Sequence, residues 1–194
     1  MDRRHEGGNR GCRGKGHAVG VRSRCPFCDR VPKNAALELL DLRPTVLRGN
    51  ASEILAFSGA TSGGRGVDAG DSVEAAEETA RHLANERSMV VAVTGESDFV
   101  TDGSRSARIE GGSPLMPRVT ALGCALTCLV GAFAGTRPAD PFSATVAALT
   151  LYAVAGERAH ERANGPGSFA VQFLDQLAAV TPAELKAGAR VTLS

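Results

Sequence analysis

The chain has 194 residues, 43% hydrophobic and 22% charged, the proportions of an ordinary globular domain with a full-sized core. Its formal net charge of +1 hides a division: residues 1–34 carry nine Lys/Arg against three Asp/Glu, and the remainder 13 against 18. Trp is absent and aromatics make up 4%, so a core must come from Ala, Val and Leu, whose small side chains let helices lie close to a sheet. Five cysteines, an odd count, behind an N-terminus with no apolar stretch argue against a secreted disulfide framework and for reduced thiols in a cytoplasmic compartment.

Residues 1–34 show no periodicity and are rich in Gly and Arg, which predicts a basic, poorly ordered leader. Cys25 and Cys28 supply at most half of a structural zinc site, and Cys12 and His17 are too irregularly spaced to complete it. From residue 35 the pattern changes. Residues 35–42 read as a short helix stopped by Pro44, residues 45–48 as a brief strand, and Asn50 as the start of a second helix through Phe57. A flexible connection is expected over residues 59–70. Asp71 or Ser72 then caps a helix to Arg87, with Val73, Ala76, Ala80 and Leu83 on one face and Glu74 closing a capping box with Asp71. Residues 89–93 have the continuous apolar character of a strand buried on both faces, and residues 99–101 and 106–110 suggest a hairpin turning at Asp102-Gly103.

Residues 119–135 carry no charge, but this run of 17 falls short of the roughly 20 needed to cross a bilayer. Its Ala, Gly, Thr and Cys suit a buried helix, opening around Gly123, rather than a lipid-facing one. A second apolar helix is capped by Asp140 with Pro141 at its first position, and the sequence NGPGS at residues 164–168 breaks it. Residues 169–180 form a further helix, and Thr181-Pro182 starts a last short one. Strands alternating with helices imply an α/β fold: a mostly parallel sheet flanked by helices.

Active sites of such sheets gather at the carboxyl ends of strands. Three segments are expected there: RGNASE (48–53), VTGE (93–96) and VTALGC (119–124). A strand leading through Gly into a helix N-terminus offers backbone N–H groups and partial positive charge, both suited to phosphate. No G-x-x-x-x-G-K-[ST] occurs, which excludes a P-loop nucleotide site. Each segment also has a plain structural reading: Asn50 and Glu53 as a capping box, Thr94-Gly95 as a strand end, Cys124 as a small buried hydrophobe. His82 and His160 lack any metal-ligand spacing.

Taken in order, LRPTVLRGNASEI (42–54), GRGVD (64–68), VVAVTGESDFVTDG (90–103), VTALGCALTCLVGAFAG (119–135) and GPGSFAVQFLDQL (165–177) resemble the hydroxyethylthiazole kinase family. The resemblance implies a ribokinase-like fold over residues 35–194, incomplete on its N-terminal side. It also implies a cytoplasmic homotrimer, with no nucleic-acid or membrane partner. The implied reaction is transfer of the ATP γ-phosphate to the hydroxyl of 4-methyl-5-(2-hydroxyethyl)thiazole, with Mg²⁺. By the same resemblance Arg48 and Thr94 contact ATP, Glu53 serves the metal, and Ala121 approaches the thiazole. Gly123 belongs to an anion hole, and Cys124 stands where related sugar kinases carry a catalytic Asp. A helix N-terminus favours a thiolate, which suits Cys124 to accept the substrate proton. Two departures accompany it. The loop reads Ala121-Leu122-Gly123-Cys124 where the commoner family form is Gly-Thr-Gly-Cys, and Ala and Leu adopt positive φ less cheaply than Gly. Upstream, the family's Asp-Pro-Val-Gly segment and thiazole-contacting Met have no counterpart, which suggests that residues 1–34 come from a disrupted reading frame. The alternative is a remnant that at most binds ATP or the thiazole.

Overall fold

The computed structural model describes residues 38, 40–62 and 73–194. The expected basic leader, half of the first short helix, the GRGVD stretch and the cap at Asp71 or Ser72 lie outside the described residues. Within them the order is β1 (Val46–Asn50), α1 (Ala51–Ser62), α2 (Val73–Arg87), β2 (Val90–Thr94), β3 (Ser97–Thr101) and β4 (Ser106–Glu110). A 3-10 turn (Met116–Arg118) leads to α3 (Leu122–Thr136), α4 (Pro141–His160), α5 (Pro166–Ala179), α6 (Pro182–Gly188) and β5 (Arg190–Leu193).

One five-stranded sheet, in the order β1-β2-β3-β4-β5, forms the middle layer. Period-two alternation sorts its side chains. Leu47, Val91, Val93 and Phe99 face α1 and α2, where they meet Ile54, Ala76, Ala80 and Leu83. Val46, Val90, Ala92, Val100 and Ile109 face the other way, against Leu126 and Val130 of α3, Leu149 and Tyr152 of α4, and Phe169 and Phe173 of α5. The helix–sheet–helix layering agrees with the expected α/β fold.

The expectation of mostly parallel pairing needs correction. Among the described strands only β1–β2 is parallel, and β2–β3, β3–β4 and β4–β5 are antiparallel. The reason lies in connection length, because a parallel pair needs a crossover of about a dozen residues or more. The chain between β1 and β2 carries two helices. Between β2 and β3 stand only Gly95 and Glu96, and between β3 and β4 only residues 102–105. That second connection is wider than the expected two-residue turn because the Asp102 carboxylate accepts the N–H groups of Ser104 and Arg105, at 3.0 and 2.7 Å.

Helix starts follow the sequence closely. Asp140 accepts from Ser143 N–H at 3.3 Å with Pro141 at the first helical position, and Thr181 and Glu184 form a reciprocal capping box on α6. α5 begins earlier than expected, at Pro166, whose fixed φ suits the first helical position. α1 runs past Phe57 to Ser62, into the stretch read as a connection. β5 was not expected at all: its four residues are largely exposed and it adds only an edge to β4.

Candidate phosphate-binding site

The parallel pair β1–β2 brings Asn50 and Thr94 side by side at the carboxyl end of the sheet. Two residues back on β1, Arg48 is 6% exposed, a buried cation whose donors must be met inside the protein. Its Nη2 donates to Thr94 Oγ1 at 2.7 Å, and its Nη1 donates to Gly123 O at 2.9 Å and Thr127 Oγ1 at 3.2 Å. Thr94 in turn donates to Gly49 O at 3.3 Å. One guanidinium thus joins the ends of both parallel strands to the first turn of α3. The planar, forked arrangement of its donors is what permits three acceptors from two elements.

α3 starts where the backbone bends sharply. Ala121, its N-cap, has φ 70° and ψ −4°, the left-handed region, with no side-chain cap. The Gly found here in the commoner family form would occupy that region without steric cost; Ala takes the same route at a cost of about 1–2 kcal/mol. The departure from Gly therefore carries backbone strain at Ala121. The first N–H groups of a helix point out of its N-terminal end and carry partial positive charge. On α3 this end is fixed from beneath by Tyr152, whose hydroxyl donates to Leu122 O at 2.5 Å.

Arg48, Glu53, Thr94 and Gly123 line one cavity of about 1150 Å³, whereas Ala121 and Cys124 are exposed beside it and do not line it. Glu53 also forms the capping box read from the sequence: its Oε2 accepts Asn50 N–H at 2.9 Å and Asn50 Oδ1 accepts Glu53 N–H at 2.8 Å. Opposite stand Gly112 and Met116, packed so tightly on α4 that a Cβ at Gly156 would lie 2.8 Å from Met116 Sδ and 3.3 Å from Gly112 Cα. Arg190 of β5 closes the rim through an ion pair with Glu157. Among the described residues no three His, Cys, Asp or Glu side chains converge as a metal set.

Sequence reasoning missed Asp98, which lines the same cavity. Its Oδ1 accepts Gly95 N–H at 3.0 Å, pinning the turn that follows Thr94. Burial pushes its carboxyl up to about 6, against the pull of the Gly95 N–H and the Arg48 charge. Strand alternation held the clue, since Asp98 shares the face of buried Val100, on the α3–α4 side. Thr127, Tyr152 and Arg190 gave no such signal, because helix periodicity does not say which polar group meets a distant strand.

A larger groove of about 1510 Å³ lies at the other end of the strands, near Thr45, Val90 and the β3–β4 connection. Its Arg87 and Arg105 are paired with Asp41, Asp102 and Asp140, and the exposed Arg43 also lines it. No described helix is long and apolar enough to cross a membrane.

Layering, sheet and strand-end cavity together define a ribokinase-like α/β fold. A pyridoxal kinase from Staphylococcus aureus shares the fold alone, with TM-score 0.52 at 16% identity over 73% of this chain and 52% of its own. A hydroxyethylthiazole kinase from Pyrococcus horikoshii OT3 is nearer, with TM-score 0.79 at 32% identity over 91% of this chain and 65% of its own. Among curated relatives, the hydroxyethylthiazole kinase of Rhizobium rhizogenes is 60% identical, covering 82% of this chain and 59% of its own length. That of Gemmatimonas aurantiaca is 61% identical, covering 81% and 56%. Residues 29–183 match the hydroxyethylthiazole kinase family, and the chain belongs to it. It spans about three fifths of the length of the curated relatives it matches.

Proposed function

We propose that this chain is, over residues 35–194, the C-terminal portion of a cytoplasmic, homotrimeric hydroxyethylthiazole kinase. The reaction is transfer of the ATP γ-phosphate to the primary hydroxyl of 4-methyl-5-(2-hydroxyethyl)thiazole. The observation that carries this reading, beyond family membership, is the hydrogen bond from Arg48 to Gly123 O at 2.9 Å, which joins a cation to the N-terminal turn of a helix at the mouth of a cavity. Phosphoryl transfer needs mainly positioning and neutralisation of charge on the migrating group. The N–H groups at the start of α3 supply fixed dipoles for that charge, and Arg48 supplies a full one. Thr94, oriented by Arg48 and by Gly49 O, faces the nucleotide.

Cys124 stands in the first turn of α3 and takes the proton of the thiazole alcohol, while Ala121, the residue before the helix, approaches the thiazole ring. Both are exposed on the described protomer, in keeping with a site completed across a subunit boundary. Glu53 would hold the water shell of Mg²⁺, which supplies charge neutralisation at the phosphates when bound. Its carboxylate already faces the cavity from the start of α1.

The test is direct. Purified chain incubated with ATP, Mg²⁺ and the thiazole alcohol should release ADP and yield a phosphate monoester, followed by phosphorus NMR. Coverage of only about three fifths of the relatives favours a second reading, a remnant that binds ATP or thiazole without turnover. Calorimetry with each ligand separates the two: heat of binding without ester formation selects the remnant, and silence in both assays sinks the kinase reading.

A further inference from the structure

Cys124 and Cys128 lie four residues apart on α3, both exposed and neither in a disulfide. Four residues is just over one helical turn, so the two thiols stand on one face with Cβ atoms about 5–6 Å apart. A disulfide needs Cβ atoms about 3.5–4.5 Å apart, so the intact helix keeps these sulfurs from bonding directly to each other. A single bridging atom removes that mismatch. The surroundings leave room for one: Ala121 and Ala125 beside the pair are exposed and small, and α3 carries no charged side chain. The neighbouring hydroxyl of Thr127 is turned away, toward Gly123 O and Arg48.

We propose that Cys124 and Cys128 form a two-thiolate site for soft, thiophilic centres with two open valences, of the trivalent-arsenical class. Thiolate sulfur is the soft ligand such centres prefer over oxygen or imidazole. With an aryl arsenoxide the chemistry balances without an oxidant. Two S–H bonds and the As–O linkage break and two As–S bonds form. The oxide oxygen leaves as water with both thiol protons, and arsenic keeps its oxidation state. The bridge spans the first turns of α3, the turns whose N–H groups serve phosphate in the kinase reading. Binding itself does not rest on that reading; only its inhibitory consequence does.

Phenylarsine oxide is the probe. In the full chain with Cys12, Cys25 and Cys28 replaced by Ser, native mass spectrometry should show one adduct per chain, heavier by the reagent less one water. Two thiols should disappear from titration with a thiol-specific chromophore. A small dithiol should reverse the adduct and an equal concentration of monothiol should not. Cys124→Ser and Cys128→Ser should each abolish the resistance to monothiol, while far-ultraviolet circular dichroism stays at the parent value. In the unaltered chain, peptide mapping should find arsenic on the peptide that contains both cysteines. Absence of an adduct, two arsenicals per chain, or equal monothiol resistance in either single variant overturns the proposal.

Discussion

Ala121→Gly tests the strain at the start of α3. A non-glycine residue at φ 70° costs about 1–2 kcal/mol, because its Cβ crowds the backbone. Replacement by Gly removes that cost but returns about 0.4–1 kcal/mol to the unfolded state as conformational freedom. Ala121 is exposed, so its methyl contributes little packing to set against the gain. The expected result is a stabilisation of about 0.5–1 kcal/mol, a rise of roughly 1–4 °C in midpoint for a domain this size. Equilibrium urea unfolding followed by circular dichroism should show a higher midpoint at unchanged slope, the mark of altered stability rather than altered compactness. Ala121→Val provides the opposite sign, since a β-branched residue is a severe outlier at positive φ. An equal or lower midpoint for the Gly variant would refute the reasoning and mean that the native backbone relaxes out of the left-handed region.

Asp98 makes a pH-dependent prediction. Its folded carboxyl is raised from an ordinary 3.8 to about 6, so the native state prefers it protonated. Its stabilising contribution is complete below the unfolded value and is lost as pH rises through about 6. Asp98→Asn, which keeps an acceptor for Gly95 N–H, should gain on the parent between about pH 4 and 6 and hold that gain above; parallel stability curves across this range would contradict it. Tyr152→Phe removes the 2.5 Å bond to Leu122 O but keeps the ring against Phe173, and should cost about 1 kcal/mol in urea unfolding. Arg48→Lys replaces a fork with a single point donor that cannot serve Thr94, Gly123 and Thr127 together. It should destabilise by about 2–3 kcal/mol and weaken ATP binding at least tenfold by calorimetry; an unchanged midpoint would show that the three bonds contribute nothing net.

Local rules carried most of the element boundaries. Pro141 behind Asp140, the helix start at Thr181-Pro182 and the Asn50–Glu53 box are short-range chemistry, and each lies where the residues indicated. Sheet direction was less legible because it depends on how the chain returns. Gly95-Glu96 is too short for a crossover, yet nothing in the apolar run of β2 distinguishes a parallel from an antiparallel neighbour. β5 escaped because four exposed residues with one apolar alternation resemble a tail. In the site, the family resemblance marked Arg48, Thr94 and Gly123, and the structure brings them into one hydrogen-bonded group, although only Arg48 stands where a strand runs directly into a helix. Thr127 and Tyr152 were not marked, since each acts on a residue 79 or 30 positions away and long-range partnership leaves no local trace.

The bonds of Arg48 reach across 46, 75 and 79 positions of chain. Until α3 has docked, a guanidinium at the end of β1 has water as its natural company, and burying it early would be costly. The cleft is thus finished only when distant parts of the polypeptide have all arrived, and no short excerpt of the molecule can rehearse it. A lesion that merely loosens the first turn of α3 would reach back to β1 and unsettle the stacking of the sheet. Assembly of the cleft and completion of the fold are one event.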